Sequence, residues 1–435
     1  MVERTAQDIR RRNRFDTLRR VYAAPAPVSR QDIAAATGLS FATVANLAAE
    51  LLEAEVLMEA GHEESGGGRP RARLAVNADR GVLLGIDIAE TGIQAQLFDL
   101  ALTVLRSVEL PLPRAEVEPA DVVDTVVAGV EQLLAATGTP TARVLGAGVS
   151  VPGLVEREGG VSAFSPYWSW RDVPLRALLA ERLGMPLYLD NPLKASTVAE
   201  MWFGAGRDID DLVVVTLRAG VGAGMAIDGA LYRGATNSAG EWGHTCLALD
   251  GRECRCGKRG CVEAYVSTAG VARTLAEVSP DSPLLRARDE SAVVEAVARA
   301  AAEGDPAAVE TITRTARYLG VALAGLFNLF NPQVLVVGGL LADRLDEPLL
   351  RQTRDAVTRH AAPQPPRAVR LQRSTVPDNP VSLGAATFAL EGFLDDRDTF
   401  GPVKAGRRAA RAARTGTARQ PGGSPARAQP PRHHA

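Results

Sequence analysis

The stretch VLLGIDIAETGIQAQLFD, residues 82 to 99, opens with an apolar run, bends around Gly92 and resumes as IQAQLFD. Apolar runs of this length around a turn predict strand, tight turn, strand, and the run from Leu102 to Val108 predicts a third strand. Residues 211 to 232 repeat the plan: LVVVTL, the glycines Gly220, Gly222 and Gly224, then MAID, the turn Asp228-Gly229, and Ala230 to Tyr232. Helical stretches follow both copies, around Asp121 to Ala136 and Ser291 to Leu329, with further strands at Val144 to Val151 and Val334 to Val337. One meander used twice implies two similar α/β lobes facing a cleft. Clefts of this kind are where small molecules bind.

Upstream of the first meander, Phe15, Leu18 and Val21 share one helical face that ends at the prolines of residues 23 to 27. Ser29, with Asp32 three places on, caps a short second helix whose Ile33 and Ala36 are expected to face inward, and Gly38 turns the chain. Ser40 caps a third helix. Its Val44, Leu47 and Leu51 form a buried stripe, while Phe41, Ala42, Thr43, Ala45 and Asn46 point outward. Helix, turn and recognition helix point to DNA, although helical spacing alone also suits a dimerisation hairpin. A strand after Leu57, a bend at Gly66 to Gly68, and Arg69, Arg71 and Arg73 leading to a strand through Val76 complete a wing. Arg69 suits a narrow minor groove, where guanidinium is favoured. Residues 1–76 therefore read as a winged helix-turn-helix, with Ser40, Phe41, Thr43, Asn46, Arg69 and Arg71 as the DNA-facing set. Thr43 can reach a phosphate. Asn46 can pair with an adenine edge, or it fills surface.

The 435 residues are enough for two or three domains. The formal charge of −2 looks wrong for a nucleic-acid partner, yet it is a cancellation: residues 1 to 75 stand at +1, residues 399 to 435 at +8, and the body at −11. The Arg-, Ala-, Pro- and Gly-rich tail at 399–435 is expected to be disordered. It either adds salt-sensitive affinity for DNA phosphates or is an inert extension. No signal peptide or membrane span is read, and a cytoplasmic protein is expected.

Four cysteines are too few for a disulfide framework in a chain of this size, and three lie within eight residues. His244, Cys254, Cys256 and Cys261, with Gly257 and Gly260 to fold the loop, supply the ligand set of a closed structural zinc (Zn2+) knuckle at 244–261. No position is left for a catalytic water. Cys246 reads as a small buried apolar residue.

The body, residues 82–393, resembles the ROK family of sugar kinases and sugar-responsive repressors. The resemblance is carried by LGIDIAETGIQAQLFD (84–99), GVSVPGLV (148–155), AGVGAGMAIDGALYRGATNSAGEWGH (219–244), CRCGKRGCVEAY (254–265) and NLFNPQVLVVGG (328–339). It implies a two-lobed, actin-like ATPase fold behind the winged helix-turn-helix, an α/β architecture overall. It also implies that Asn191, Glu241, His244 and Glu263 hold a sugar. His244 would use one ring nitrogen for the metal and the other for the sugar.

Where the family's kinases carry a catalytic aspartate, LDNPLKASTVAE (189–200) places Pro192, and Lys194 stands in for a second asparagine. Proline cannot accept a proton. In the first phosphate loop Ala89, Glu90 and Gly92 replace two glycines and a lysine, and in the second Arg218 and Ala219 displace Gly-Thr. The expected function is therefore that of a non-enzymatic, sugar-responsive repressor. A homodimer or dimer of dimers would bind operator DNA and take a monosaccharide or sugar derivative as effector. A sugar kinase fused to a DNA-binding domain is the alternative.

Overall fold

The computed structural model describes residues 6–63, 71–112, 117–165, 167–363, 370–376 and 379–396. Gly66 to Gly68, Arg69 and the tail from 399 lie outside the described residues.

The N-terminal unit contains α1 (Ala6–Ala23), β1 (Val28–Ser29), α2 (Arg30–Thr37), α3 (Phe41–Glu53), β2 (Leu57–Glu63) and β3 (Arg71–Val76). Ser29 and Asp32 cap α2 reciprocally, Oγ accepting from the Asp32 amide at 3.2 Å and the carboxylate accepting from the Ser29 amide at 3.0 Å. Gly38 then turns the chain at φ 69°. Ser40 Oγ accepts from the Thr43 amide at 3.1 Å and starts α3. Val44, Leu47 and Leu51 are buried with Ile33, Leu18 and Leu74, which makes one small core. Ala36, expected to face inward, is exposed, because α2 buries only Ile33. The three strands form a sheet in the order β1-β3-β2. The two-residue β1, hidden among prolines, gave no periodic signal.

The first lobe is built on β4 (Val82–Ala89), β5 (Gly92–Asp99), β6 (Val104–Pro111), α4 (Pro119–Thr137), β7 (Val144–Ser150), a small sheet of β8 (Leu154–Glu156), β9 (Val161–Ser165) and β10 (Trp170–Val173), then α5 (Leu175–Leu183), β11 (Leu187–Asp190) and α6 (Pro192–Phe203). The second lobe has β12 (Leu212–Leu217), β13 (Val221–Ile227), β14 (Ala230–Leu231), α7 (Glu263–Val266), α8 (Thr268–Val278), α9 (Glu290–Ala302), α10 (Pro306–Phe330), β15 (Val334–Gly338), α11 (Leu340–His360), β16 (Arg370–Arg373) and α12 (Pro380–Asp395). Sheet orders are β11-β7-β4-β5-β6 and β14-β13-β12-β15-β16. Each is an antiparallel meander extended on its first strand by two parallel strands, so the duplication holds strand for strand. The helical stretch expected from Ser291 to Leu329 is two helices, broken at Gly304 and Asp305, with Asp305 capping the second.

The lobes interlock by exchanging helices. α6 leaves the first lobe and packs on β12 and β13, while α12 leaves the second and packs on the first sheet, Ser382 Oγ donating to the Gly85 carbonyl at 2.8 Å. In the first sheet, parallel pairing puts Asp87, Ser150 and Asp190 in one register at the carboxyl ends of β4, β7 and β11. Ligands bind outside such strand ends.

Candidate functional site

β11 ends at Asp190, and Asn191 caps α6 with its Oδ1 accepting from the Lys194 amide at 3.0 Å. Pro192 sits at the first helical position, where its missing N–H costs nothing. Asp190, 1% exposed, accepts from the Asn191 amide at 2.9 Å, from Asn237 Nδ2 at 3.1 Å, and from the Arg233 guanidinium. Its oxygens are committed to loop 233–237. Asp190 is therefore an anion that ties the second lobe's loop to the end of the first lobe's strand. Arg233 and Asn237 carried no motif signal, so their role was missed in the sequence.

Lys194 is also missing from the expected site set. It is 1% exposed, and its Nζ reaches the Ala239 carbonyl at 3.5 Å. Burial pulls its pKa down, opposed by Asp190 and Glu241. Glu241, half-buried at the start of a short 3₁₀ turn, has its pKa raised by burial and lowered by His244 and Lys194. Lys194 and His244 are thus the cations that act on Glu241, and Asn191 caps the helix that carries Lys194. Glu263 is half-buried beside them, one oxygen accepting from the Val221 amide at 3.1 Å and the other 3.5 Å from Cys254 Sγ.

His244, Cys254, Cys256 and Cys261 bring their ligand atoms within 4.8 Å of one another, a cluster that could hold a metal ion. His244 Nδ1 lies 3.8 Å from Cys254 Sγ, and Cys256 Sγ lies 3.7 Å from Cys261 Sγ. A tetrahedral ion with bonds of about 2.3 Å to sulfur has edges of about 3.8 Å, so the four residues fit zinc. Nδ1 points into the cluster, leaving Nε2 for other partners. Gly260 has φ 76°, and a Cβ there would collide with the Ala248 carbonyl. Arg252 pins the loop: its guanidinium lies 4.6 Å from the Tyr265 ring, donates to Ala264 and Gly270 carbonyls, and pairs with Glu277. Cys246, expected to be buried, is exposed. It paired with Cys261 across an isolated bridge and stays outside the ligand cluster.

Asp87 is 7% exposed and accepts from Asn379 Nδ2 at 2.9 Å. Burial raises its pKa, opposed by Asn379 and by Arg218. In the N-terminal unit Ser40, Phe41 (58% exposed) and Asn46 are exposed, Thr43 is half-buried, and Arg71 is exposed at the start of β3. No described helix is long and apolar enough to cross a membrane.

The ROK family model matches residues 83–391. A putative xylose repressor of Caldicellulosiruptor sp. (strain Rt8B.4) is 30% identical over 372 residues, 84% of this chain and 92% of that protein. The DNA-binding transcriptional repressor Mlc of Escherichia coli (strain K12) is 28% identical, over 83% of this chain and 88% of its own length. A solved ROK family transcriptional regulator, a homologue of E. coli Mlc, matches with a TM-score of 0.73 and 26% identity over 89% of this chain and 97% of that one. With the duplicated lobes, the His and Cys cluster and a family match over most of its length, the chain belongs to the ROK family.

Proposed function

We propose that this protein is a sugar-responsive, DNA-binding transcriptional repressor without kinase activity. The observation that carries the reading is a winged helix-turn-helix with an exposed α3 face joined to a ROK body whose base position is Pro192. The sequestered Asp190 removes the nearest substitute base, and Glu90 and Arg218 stand where phosphates would be cradled. The relatives named as repressors support the same reading over both parts of the chain.

In this account Phe41, Thr43 and Asn46 enter the major groove, with Ser40 setting the helix N-terminus and Arg69 and Arg71 reaching phosphates or the minor groove from the wing. A homodimer would present two such units to a pseudo-palindromic operator. Asn191, Glu241, His244 and Glu263 hold the effector, the carboxylates accepting hydrogen bonds from adjacent sugar hydroxyls. Lys194 donates to a hydroxyl oxygen. Bound zinc would be held by His244, Cys254, Cys256 and Cys261 and would supply a cross-link that fixes the loop carrying Glu241 and Glu263. Sugar binding closes the lobes and releases DNA.

Selection of bound duplexes from a random DNA pool tests the first half. An enriched two-fold motif is expected, and a pool without enrichment overturns the reading.

A further inference from the structure

We infer that α1 is a strap across the two lobes, and that Arg12 and Tyr22 are the positioning residues that convert cleft closure into movement of the recognition helix. This rests on the reading of the cleft as an effector site. α1 is fastened at separate places along its length. Near the middle of the helix, the Arg12 guanidinium donates to the Asp228 carbonyl at 2.8 Å, in the β13–β14 turn of the second lobe. About two turns on, Arg19 donates to the Gly206 carbonyl at 3.1 Å, on the segment that crosses from α6 to β12. Near the C-terminal end, the Tyr22 hydroxyl donates to the Leu100 carbonyl in the β5–β6 turn of the first lobe.

The Tyr22 ring also packs edge-on against Trp202 (centroids 5.6 Å apart) and Phe203 (6.0 Å) at the C-terminal end of α6. The other end of that helix is capped by Asn191 in the cleft. Toward the DNA side, Arg10 and Arg14 of α1 both pair with Glu50 of α3, the second at 3.5 Å.

A helix does not stretch. Arg12 and Tyr22 are ten positions apart, which fixes their separation along α1 at about 15 Å. If the lobes close, the Asp228 and Leu100 carbonyls change their spacing and α1 must tilt or release one fastening. Through Glu50, either event displaces α3. Cutting the Arg12 fastening removes the bond from α1 to the β13–β14 turn of the second lobe, so closure moves α1 less.

The test uses full-length protein, the duplex recovered by selection, and D-xylose, D-glucose and N-acetyl-D-glucosamine as probes. Wild type is expected to lose at least fivefold in duplex affinity with one of these sugars, within the usual range of coupling between sites. Arg12→Ala should bind the duplex and that sugar within about threefold of wild type, yet release less than about twofold, within the scatter expected of a lost surface contact. Arg12→Lys, which keeps a donor, should recover part of the release. Tyr22→Phe, which keeps the rings and cuts the bond to Leu100, should lose coupling as well. Hydrogen exchange of α1 amides should rise with sugar in wild type and stay level in Arg12→Ala. Full release by both Arg12→Ala and Tyr22→Phe overturns the strap and leaves the sensing reading standing. A wild type indifferent to all three sugars overturns the sensing reading, and the strap with it.

Discussion

Gly384 of α12 and Ala195 of α6 meet backbone to backbone: a Cβ on Gly384 would collide with the Ala195 carbonyl oxygen. The two exchanged helices cross at this point, so the lobes touch here with no side chain between them. Gly384→Ala should therefore cost about 1–3 kcal/mol, the usual range for overpacking a tight core. Thermal unfolding checks it. An unchanged melting temperature would mean that the crossing is looser than the structure shows.

The zinc assignment predicts one equivalent of metal per chain by native mass spectrometry. Cys256→Ser should lose the metal, and chelation of wild type should lower the melting temperature, since loss of a structural metal is among the large destabilising changes. Cys246→Ser should keep both metal and stability, because its thiol is exposed and outside the cluster.

On α3 the account separates reading from scaffolding. Asn46→Ala should cost about 1–3 kcal/mol of binding and relax preference at one base position. Arg71→Ala should weaken all duplexes alike and reduce the salt slope by about one. Ser40→Ala removes the hydroxyl that caps the Thr43 amide and should cost about 1 kcal/mol of stability. Binding to the selected duplex at several salt concentrations, with thermal melts alongside, distinguishes the three.

Much of this was legible in the sequence because it is local. The meander at 82–99 and its repeat at 211–232 fixed the sheet plan through apolar runs and turn glycines, and the cysteine spacing announced the cluster. Ser29, Ser40 and Gly38 acted where cap chemistry predicts. What stayed hidden is tertiary. Asp190 looks like a stray carboxylate until Arg233 and Asn237, more than forty positions away, fold onto it. The burial of Lys194 depends on the loop at Ala239. The small sheet of β8 to β10 has strands too short for a periodic signal, and Cys246 belongs to a loop whose exposure composition does not encode. The docking of Tyr22 on Trp202 joins segments 180 positions apart, with no motif in either.

The central claim is that a sugar in the cleft changes DNA binding at the other end of the molecule. The most direct measurement is the affinity of the selected duplex, by fluorescence anisotropy, with and without saturating D-xylose, D-glucose or N-acetyl-D-glucosamine. The account predicts that one of them weakens binding by about 5- to 150-fold, a coupling of about 1–3 kcal/mol, with no phosphorylated sugar formed when ATP is present. An affinity unchanged by every sugar, or ATP-dependent appearance of a sugar phosphate, would contradict it.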